Sequence, residues 1–235
     1  ITPKVEPKQS VPLFKITAPS LQMLIQDEGR LNKTNIGVGV AGAMDLSAMH
    51  SANRIVGNPT DTPVIEVLNG GLKAKMQHAG VIAVAGAISN IRVKFADGQT
   101  ADFASHQPID LDEGDEFQIQ PPTAGLRNYL AVRGGIDVEP VLNSASFDSL
   151  AVLGPEPLKL GDTIYQGQVK AANISVNEVG KSDLPRTGEV VELDIVMGPR
   201  TDWFEQDSIE LLCQQEWLVT NESNRVDRKS TRLNS

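Results

Sequence analysis

The polar residues with chemical potential gather where regular elements end. Asp27 and Arg30 lie in Gln26-Asp27-Glu28-Gly29-Arg30, where an apolar run gives way to a glycine turn. Asp45 closes Gly42-Ala43-Met44-Asp45 ahead of a helical pattern, and Asn53 interrupts that pattern near its buried face. Arg127 precedes the run Tyr129-Leu130-Ala131-Val132, and Arg133 ends it. An arginine can clamp an oxyanion through two parallel hydrogen bonds, and an aspartate can take a proton. Each residue also has a plainer reading. Asp45 suits a helix cap, Asp27 with Arg30 an ion pair ordering a turn, and Arg127 a solvated cation. Spacing alone leaves both readings open.

Familiar catalytic signatures do not occur. The chain has no GxxxxGK[ST] phosphate loop and no GxGxxG, because Gly37-Val38-Gly39 lacks the third glycine and a preceding strand. His50, His78 and His106 have no metal-ligand spacing and read as surface or packed histidines. The serines lack a GxSxG elbow. Lys75-Met76 stands between Ala74 and Gln77, which rules out a biotin-attachment sequence. The residues thus point to no metal and no cofactor held by this chain. A lone cysteine, Cys213, excludes an internal disulfide and fits a reducing compartment such as the cytoplasm.

The 235 residues carry a net charge of −9, the wrong sign for a nucleic-acid backbone. No apolar run reaches the roughly 18 residues of a membrane span. With 40% hydrophobic and 22% charged residues, the composition is that of a globular protein with a sizeable core.

The elements that must position these residues are mostly strands. Apolar–polar alternation between Gly, Pro, Asn and Asp breaks predicts strands over 13–17, 21–26, 64–68, 72–77, 81–84, 91–95, 116–120, 129–133, 190–196 and 217–220. Two helices are expected. The first is capped by Asp45, carries a stripe of Leu46, Met49, Ala52 and Val56, and stops at Gly57. The second covers 206–214, with Ile209 and Leu212 or Cys213 inward. Many short strands with such punctuation suggest barrels or sandwiches rather than a βαβ layout.

The motifs resemble, in order, those of the carboxyltransferase-type family that includes the C-type component of 5-oxoprolinase, allophanate hydrolase subunit 2 and the carboxyltransferase region of urea amidolyase. After Gln26–Arg30 and Gly42–Asp45 come Ala52-Asn53-Arg54-Ile55-Val56-Gly57-Asn58-Pro59, Ile65-Glu66 with Gly70-Gly71, and Ala85-Gly86-Ala87. Arg127-Asn128-Tyr129-Leu130-Ala131-Val132-Arg133-Gly134-Gly135-Ile136, Leu160-Gly161-Asp162, Asp202-Trp203-Phe204 and Ser223-Asn224-Arg225 complete the series.

The resemblance implies a mainly β, cyclophilin-like fold of paired β-barrel lobes. On that basis residues 1–12 are a ragged start, 13–170 the first lobe, 171–187 a loop or lobe connection, and 188–226 the start of a second, incomplete lobe. Residues 227–235, DRKSTRLNS, read as a non-native tail similar to a translated sequencing adapter. The family's closing Thr-Thr-Gly-Gly-Tyr-Pro-type segment has no match, so exposed apolar surface and open sheet edges are expected.

It also implies work within a complex. The first expectation is the C-type component of an ATP-dependent 5-oxoprolinase that opens 5-oxoproline to glutamate. It would act with a smaller B-type subunit and a third subunit, the complex using the ATP. The alternatives are a biotin-dependent carboxyltransferase acting on urea, with biotin on a partner, and a non-enzymatic regulator that binds the inhibitor of a sensor kinase. Neither nucleic acid nor membrane is an expected partner. Under the resemblance, Arg30, Asn53, Arg127 and Asn224 line a substrate cleft, and Asp27 or Asp45 serves as base. Departures touch the same region. Leu31-Asn32-Lys33 replaces a Gly-Tyr-type pair, Ala41 a serine and Ala145 an arginine, and the stretch at Leu153-Gly154-Pro155 is shortened.

Overall fold

The computed structural model describes residues 10–180, 184–186, 188–219 and 230–232. The strands are β1 (Pro12–Ala18), β2 (Met23–Gln26), β3 (Val64–Leu68), β4 (Lys73–Met76), β5 (Gly80–Ile88), β6 (Asn90–Lys94) and β7 (Thr100–Ala104). They continue with β8 (Pro108–Leu111), β9 (Glu116–Ile119), β10 (Ala124–Val132), β11 (Thr163–Tyr165), β12 (Trp217–Val219) and β13 (Ser230–Arg232). The helices are α1 (Leu46–Val56) and α2 (Gln206–Gln214). The expected mainly β fold is what forms. The chain makes two compact units, one ending at Glu189 and the other starting at Val190.

In the first unit one sheet runs β11-β1-β4-β9-β6-β7 and the other β2-β3-β10-β5-β8, with antiparallel pairing throughout. Alternation decides which side chains meet. Ile65 and Val67 of β3, Ile82 and Val84 of β5, and Leu130 and Val132 of β10 point to the core shared with Phe14, Ile16, Met76, Ile91 and Phe117 of the other sheet. Phe14 and Phe117 meet edge-to-face at 5.3 Å, an arrangement worth about 0.5–1.5 kcal/mol beyond area burial.

The opposite face of the second sheet carries α1. Its residues Ala48, Met49, Ala52, Ile55 and Val56 pack on Ala83 and Ala85 of β5 and on Tyr129 and Ala131 of β10. The alanines in that list keep the helix close to the sheet. The helix bounds are set locally. Asp45 accepts a hydrogen bond from the Ala48 N–H at 3.0 Å, and Gly57 takes the left-handed conformation at the C-terminus with φ 79°. Leu46, expected in the apolar stripe, is instead exposed, because the inward face starts further into the first turn, at Ala48 and Met49.

After β11 the chain crosses back over α1. The Ala172 N–H donates to the Gly57 carbonyl and the Ser175 N–H to the Ile55 carbonyl, while Glu178 accepts from Arg54 and Ser51.

In the first unit three strands go beyond those expected from alternation, β7, β8 and β11, and all three are sheet edges. Edge strands pair on one side only and carry weaker apolar patterns; Thr-Ala-Asp-Phe-Ala of β7 and Pro-Ile-Asp-Leu of β8 are examples.

In the second unit, β12 pairs with β13 in antiparallel register, so Ser230–Arg232 of the adapter-like string forms a strand. Residues 190–196 are irregular, against expectation. Their alternation has no ladder to join among the described residues, and a strand without a partner leaves its backbone groups to water. On α2, Ile209 is half-buried while Leu212 and Cys213 are exposed, so the expected inward face has no packing surface among the described residues. Val190, Leu193, Val196, Trp203 and Phe204 are exposed as well. No described helix is long and apolar enough to cross a membrane.

Candidate functional site

The two glycine motifs lie side by side. The Ala43 N–H donates to the Asp27 carbonyl at 2.9 Å and the Arg30 N–H to the Val40 carbonyl at 2.6 Å, joining 27–30 to 40–43. Gly29 and Gly42 both have φ 89°, a left-handed conformation. A Cβ on Gly29 would stand 2.3 Å from the Val40 carbonyl oxygen, and one on Gly42 would stand 3.0 Å from the Glu28 carbonyl. Only glycine meets both demands, positive φ and backbone contact. The spacing of the two motifs is thus first of all a requirement of this double strand.

Asp27 and Arg30 face the loop 141–154. One Asp27 carboxylate oxygen accepts from the Gly29 N–H, the Ser144 hydroxyl at 2.6 Å and the Ser146 hydroxyl at 2.5 Å. The other accepts from the Ala145 N–H at 2.6 Å. With four donors already on it, this carboxylate is occupied as an anchor rather than open to a substrate proton. Arg30 is fully buried; its Nε donates to the Val141 carbonyl at 3.1 Å and its Nη2 to the Ser146 carbonyl at 2.6 Å. Its Nη1 is buried without an aligned acceptor. Burial lowers the Arg30 pKa, opposed by the nearby Asp148 and Asp27. These contacts hold a loop in which Leu142, Asn143 and Val152 adopt left-handed φ of 54°, 67° and 51°. Such conformations cost about 1–3 kcal/mol each and persist only where surrounding contacts impose them.

On the α1 side of the second sheet a separate polar network is buried. Tyr129 of β10 sits directly across from Glu66 of β3, and Arg127 lies two residues before Tyr129 on the same face. Glu66 is buried; one oxygen accepts from the Met44 N–H at 3.0 Å and the other lies 3.2 Å from Arg127 Nε. The arginine contact is an ion pair without hydrogen-bond alignment, since Arg127 Nε is buried and has no aligned acceptor. The Tyr129 hydroxyl accepts from the Asp45 N–H at 2.8 Å and is hydrogen-bonded to Glu66. Asp45 therefore takes part through its backbone as well as capping α1 with its side chain.

Burial, reinforced by the charge of Glu66, raises the Tyr129 pKa far above its ordinary value. The fold favours the neutral phenol. Its contribution to stability is present below the ordinary tyrosine pKa of about 10 and is lost as pH rises above that. In a spectrophotometric titration, the wild-type chain and Tyr129→Phe should give the same phenolate absorbance until alkaline unfolding. A wild-type excess near pH 10 would show that the hydroxyl is not held in this way.

The remaining site candidates fall elsewhere. Asn53 is fully buried at the end of α1, where its amide donates to the carbonyls of Thr60 and Thr62 at 3.0 and 2.7 Å and its oxygen accepts from Asn58. These bonds fix the 58–62 turn. Asn224 lies outside the described residues. Arg30 and Arg127 share no hydrogen-bond partner among the described residues. The structure therefore brings together Asp27 with Arg30, and links Asp45 to Arg127 through Tyr129 and Glu66, but joins Asn53 to neither pair. Glu66 and Tyr129 join the site without having been candidates. Their signal is a charged residue inside the apolar run Val64–Leu68, which period-2 alternation places on one face with Tyr129 once the register is known. Among the described residues, no His, Cys, Asp and Glu cluster could hold a metal ion.

Residues 36–233 match the family described as carboxyltransferase domain, subdomain A and B. The match continues past Val226, further than the motifs reach. The chain is 34% identical over 223 residues to the urea amidolyase of Saccharomyces cerevisiae, covering 90% of this chain and 12% of that protein. It is 30% identical over 217 residues to the C-type component of 5-oxoprolinase from Escherichia coli, covering 91% of this chain and 67% of that protein. The crystal structure of the K. lactis urea amidolyase superposes with a TM-score of 0.79 at 28% identity, over 96% of this chain and 14% of that one. The chain spans 12% of the length of the yeast urea amidolyases it matches. Motif order, fold and these similarities agree, and the chain belongs to the carboxyltransferase-domain family of subdomains A and B.

Proposed function

We propose that this chain is the C-type component of an ATP-dependent 5-oxoprolinase, acting with partner subunits to open 5-oxoproline to glutamate. The relatives in Escherichia coli and Haemophilus influenzae, of which the chain spans 67% and 63%, support this reading. The observation that carries the site is Arg127: a largely buried guanidinium beside Glu66 whose Nε–H has no aligned acceptor. An oxyanion of the substrate, either its carboxylate or the charge developing on the ring amide oxygen, would meet the exposed remainder of the side chain, 15% of its surface, while the Nε–H stays buried beside Glu66. Preorganised donors of this kind are the main means of stabilising such charge. Arg30, with two nitrogens spent on backbone carbonyls and Nη1 buried, holds the neighbouring loop. Asp27 and Asp45 serve as anchors of the same region.

A second reading rests on the 34% identity to urea amidolyase: a carboxyltransferase that passes a carboxyl group from biotin on a partner to urea. Arg127 would then face the carboxyl group in transit. No residue of this chain is assigned to hold the biotin.

Arg127→Lys tests the site, because it keeps a cation beside Glu66 and removes the planar fork. In the assembled complex, kcat/KM for 5-oxoproline should fall about 100-fold with little change in Tm. Unchanged kinetics would remove Arg127 from the site. Activity with urea and carboxybiotin but none with 5-oxoproline would select the second reading.

A further inference from the structure

We infer that Glu66 is a positioning residue of this site, holding the Arg127 guanidinium and the Met44–Asp45 turn in register through a single carboxylate. The inference rests on the reading of Arg127 as the anion-binding group. Four observations carry it. Glu66 is 2% exposed in the middle of β3, where a charge is costly unless paired. Its two oxygens divide the work, one toward the Met44 N–H and the other toward Arg127. Tyr129, directly opposite on β10, bonds both Glu66 and the Asp45 N–H, so the turn ahead of α1 is tied to the same group twice. The elements concerned, β3, β10 and the N-terminus of α1, are packed against one another, which is what precise orientation of a functional arginine requires.

A purely structural glutamate would have little reason to face an arginine whose Nε–H stays unaligned. A pair kept for stability alone could be replaced, both members together, by apolar residues without that desolvation cost. Glu66 orients Arg127 without saturating it, and the guanidinium keeps donors for a ligand.

The test uses Glu66→Gln, which preserves shape and keeps one carbonyl oxygen that can accept from the Met44 N–H. In the assembled complex, E66Q should raise KM for 5-oxoproline about tenfold with kcat changed less than about threefold, the signature of lost ground-state positioning. The double variant with Arg127→Lys should be no worse than Arg127→Lys alone, because Glu66 acts through Arg127. A second measurement needs no turnover: in the full chain, the 15N–1H signal of Arg127 Nε, identified by its loss in Arg127→Lys, should shift and exchange faster in E66Q. Multiplicative effects in the double variant, or an unmoved Nε signal, would overturn the role given to Glu66. A kinetically silent Arg127→Lys would instead overturn the site reading itself, and Glu66's role with it.

Discussion

Asp27→Ala lowers the stability of the fold by about 3–5 kcal/mol, the range found when one member of a buried charged network is removed. For a chain of this size that is roughly 6–20 °C in Tm, at about 2–4 °C per kcal/mol. The substitution removes the acceptor for two serine hydroxyls and two backbone N–H groups at once, and leaves buried Arg30 with one fewer opposing charge. Asp27→Asn recovers part of the loss, since its carbonyl still serves one side while its NH2 meets a donor on the other. Thermal unfolding of the three proteins decides the matter. If both variants kept the wild-type Tm while the complex lost turnover, Asp27 would be the proton acceptor that its position in the motif suggests. The structure leads us to expect the reverse, with activity lost only in proportion to folded protein.

Gly29→Ala is expected to cost about 4 kcal/mol, at the severe end for a single substitution. Part of that is the left-handed backbone at φ 89°, worth about 1–2 kcal/mol for any residue with a Cβ. The larger part is the 2.3 Å approach of the new Cβ to the Val40 carbonyl oxygen, which cannot move without breaking the bond it accepts from the Arg30 N–H. Gly37 supplies the control. It has a similar φ of 78°, but a Cβ there meets nothing within 4 Å. Gly37→Ala should therefore cost only the backbone term, and the difference between the two variants in denaturant unfolding isolates the clash. Equal costs would mean that the two motifs are not held in contact.

These two results bear on function as well as on folding. The paired segments Gln26–Arg30 and Gly42–Asp45 are largely scaffolding. They anchor the 141–154 loop on one side and present the Met44 and Asp45 N–H groups to Glu66 and Tyr129 on the other. Substitutions within them should lower activity mainly through stability, whereas those at Arg127 and Glu66 should act on kinetic constants in a folded protein. Ala145, which stands where relatives are expected to carry an arginine, donates its backbone N–H to Asp27 and buries its side chain in the core. That loop can thus be held without the arginine.

Read without its tertiary structure, the chain determined those features that depend on neighbours in sequence. The α1 boundaries follow from Asp45 and Gly57, because capping and helix termination involve residues three or four apart. The interior strands follow from period-2 alternation, because a strand buried on one face repeats every second residue. What needs a distant partner was decided only by the fold. Residues 190–196 alternate as well as β6 does, yet only β6 has strands to pair with among the described residues. Edge strands β7, β8 and β11 carry too little apolar signal to be seen until their neighbours hold them. Asn53 and Asp27 turned out to be satisfied by groups 2 to 119 residues away in sequence. Glu66 joined the site because strand register sets it opposite Tyr129, far along the chain, while Met44 reaches it from 22 positions before. A buried carboxylate is stable only when several donors converge on it, and that convergence is a property of the folded molecule.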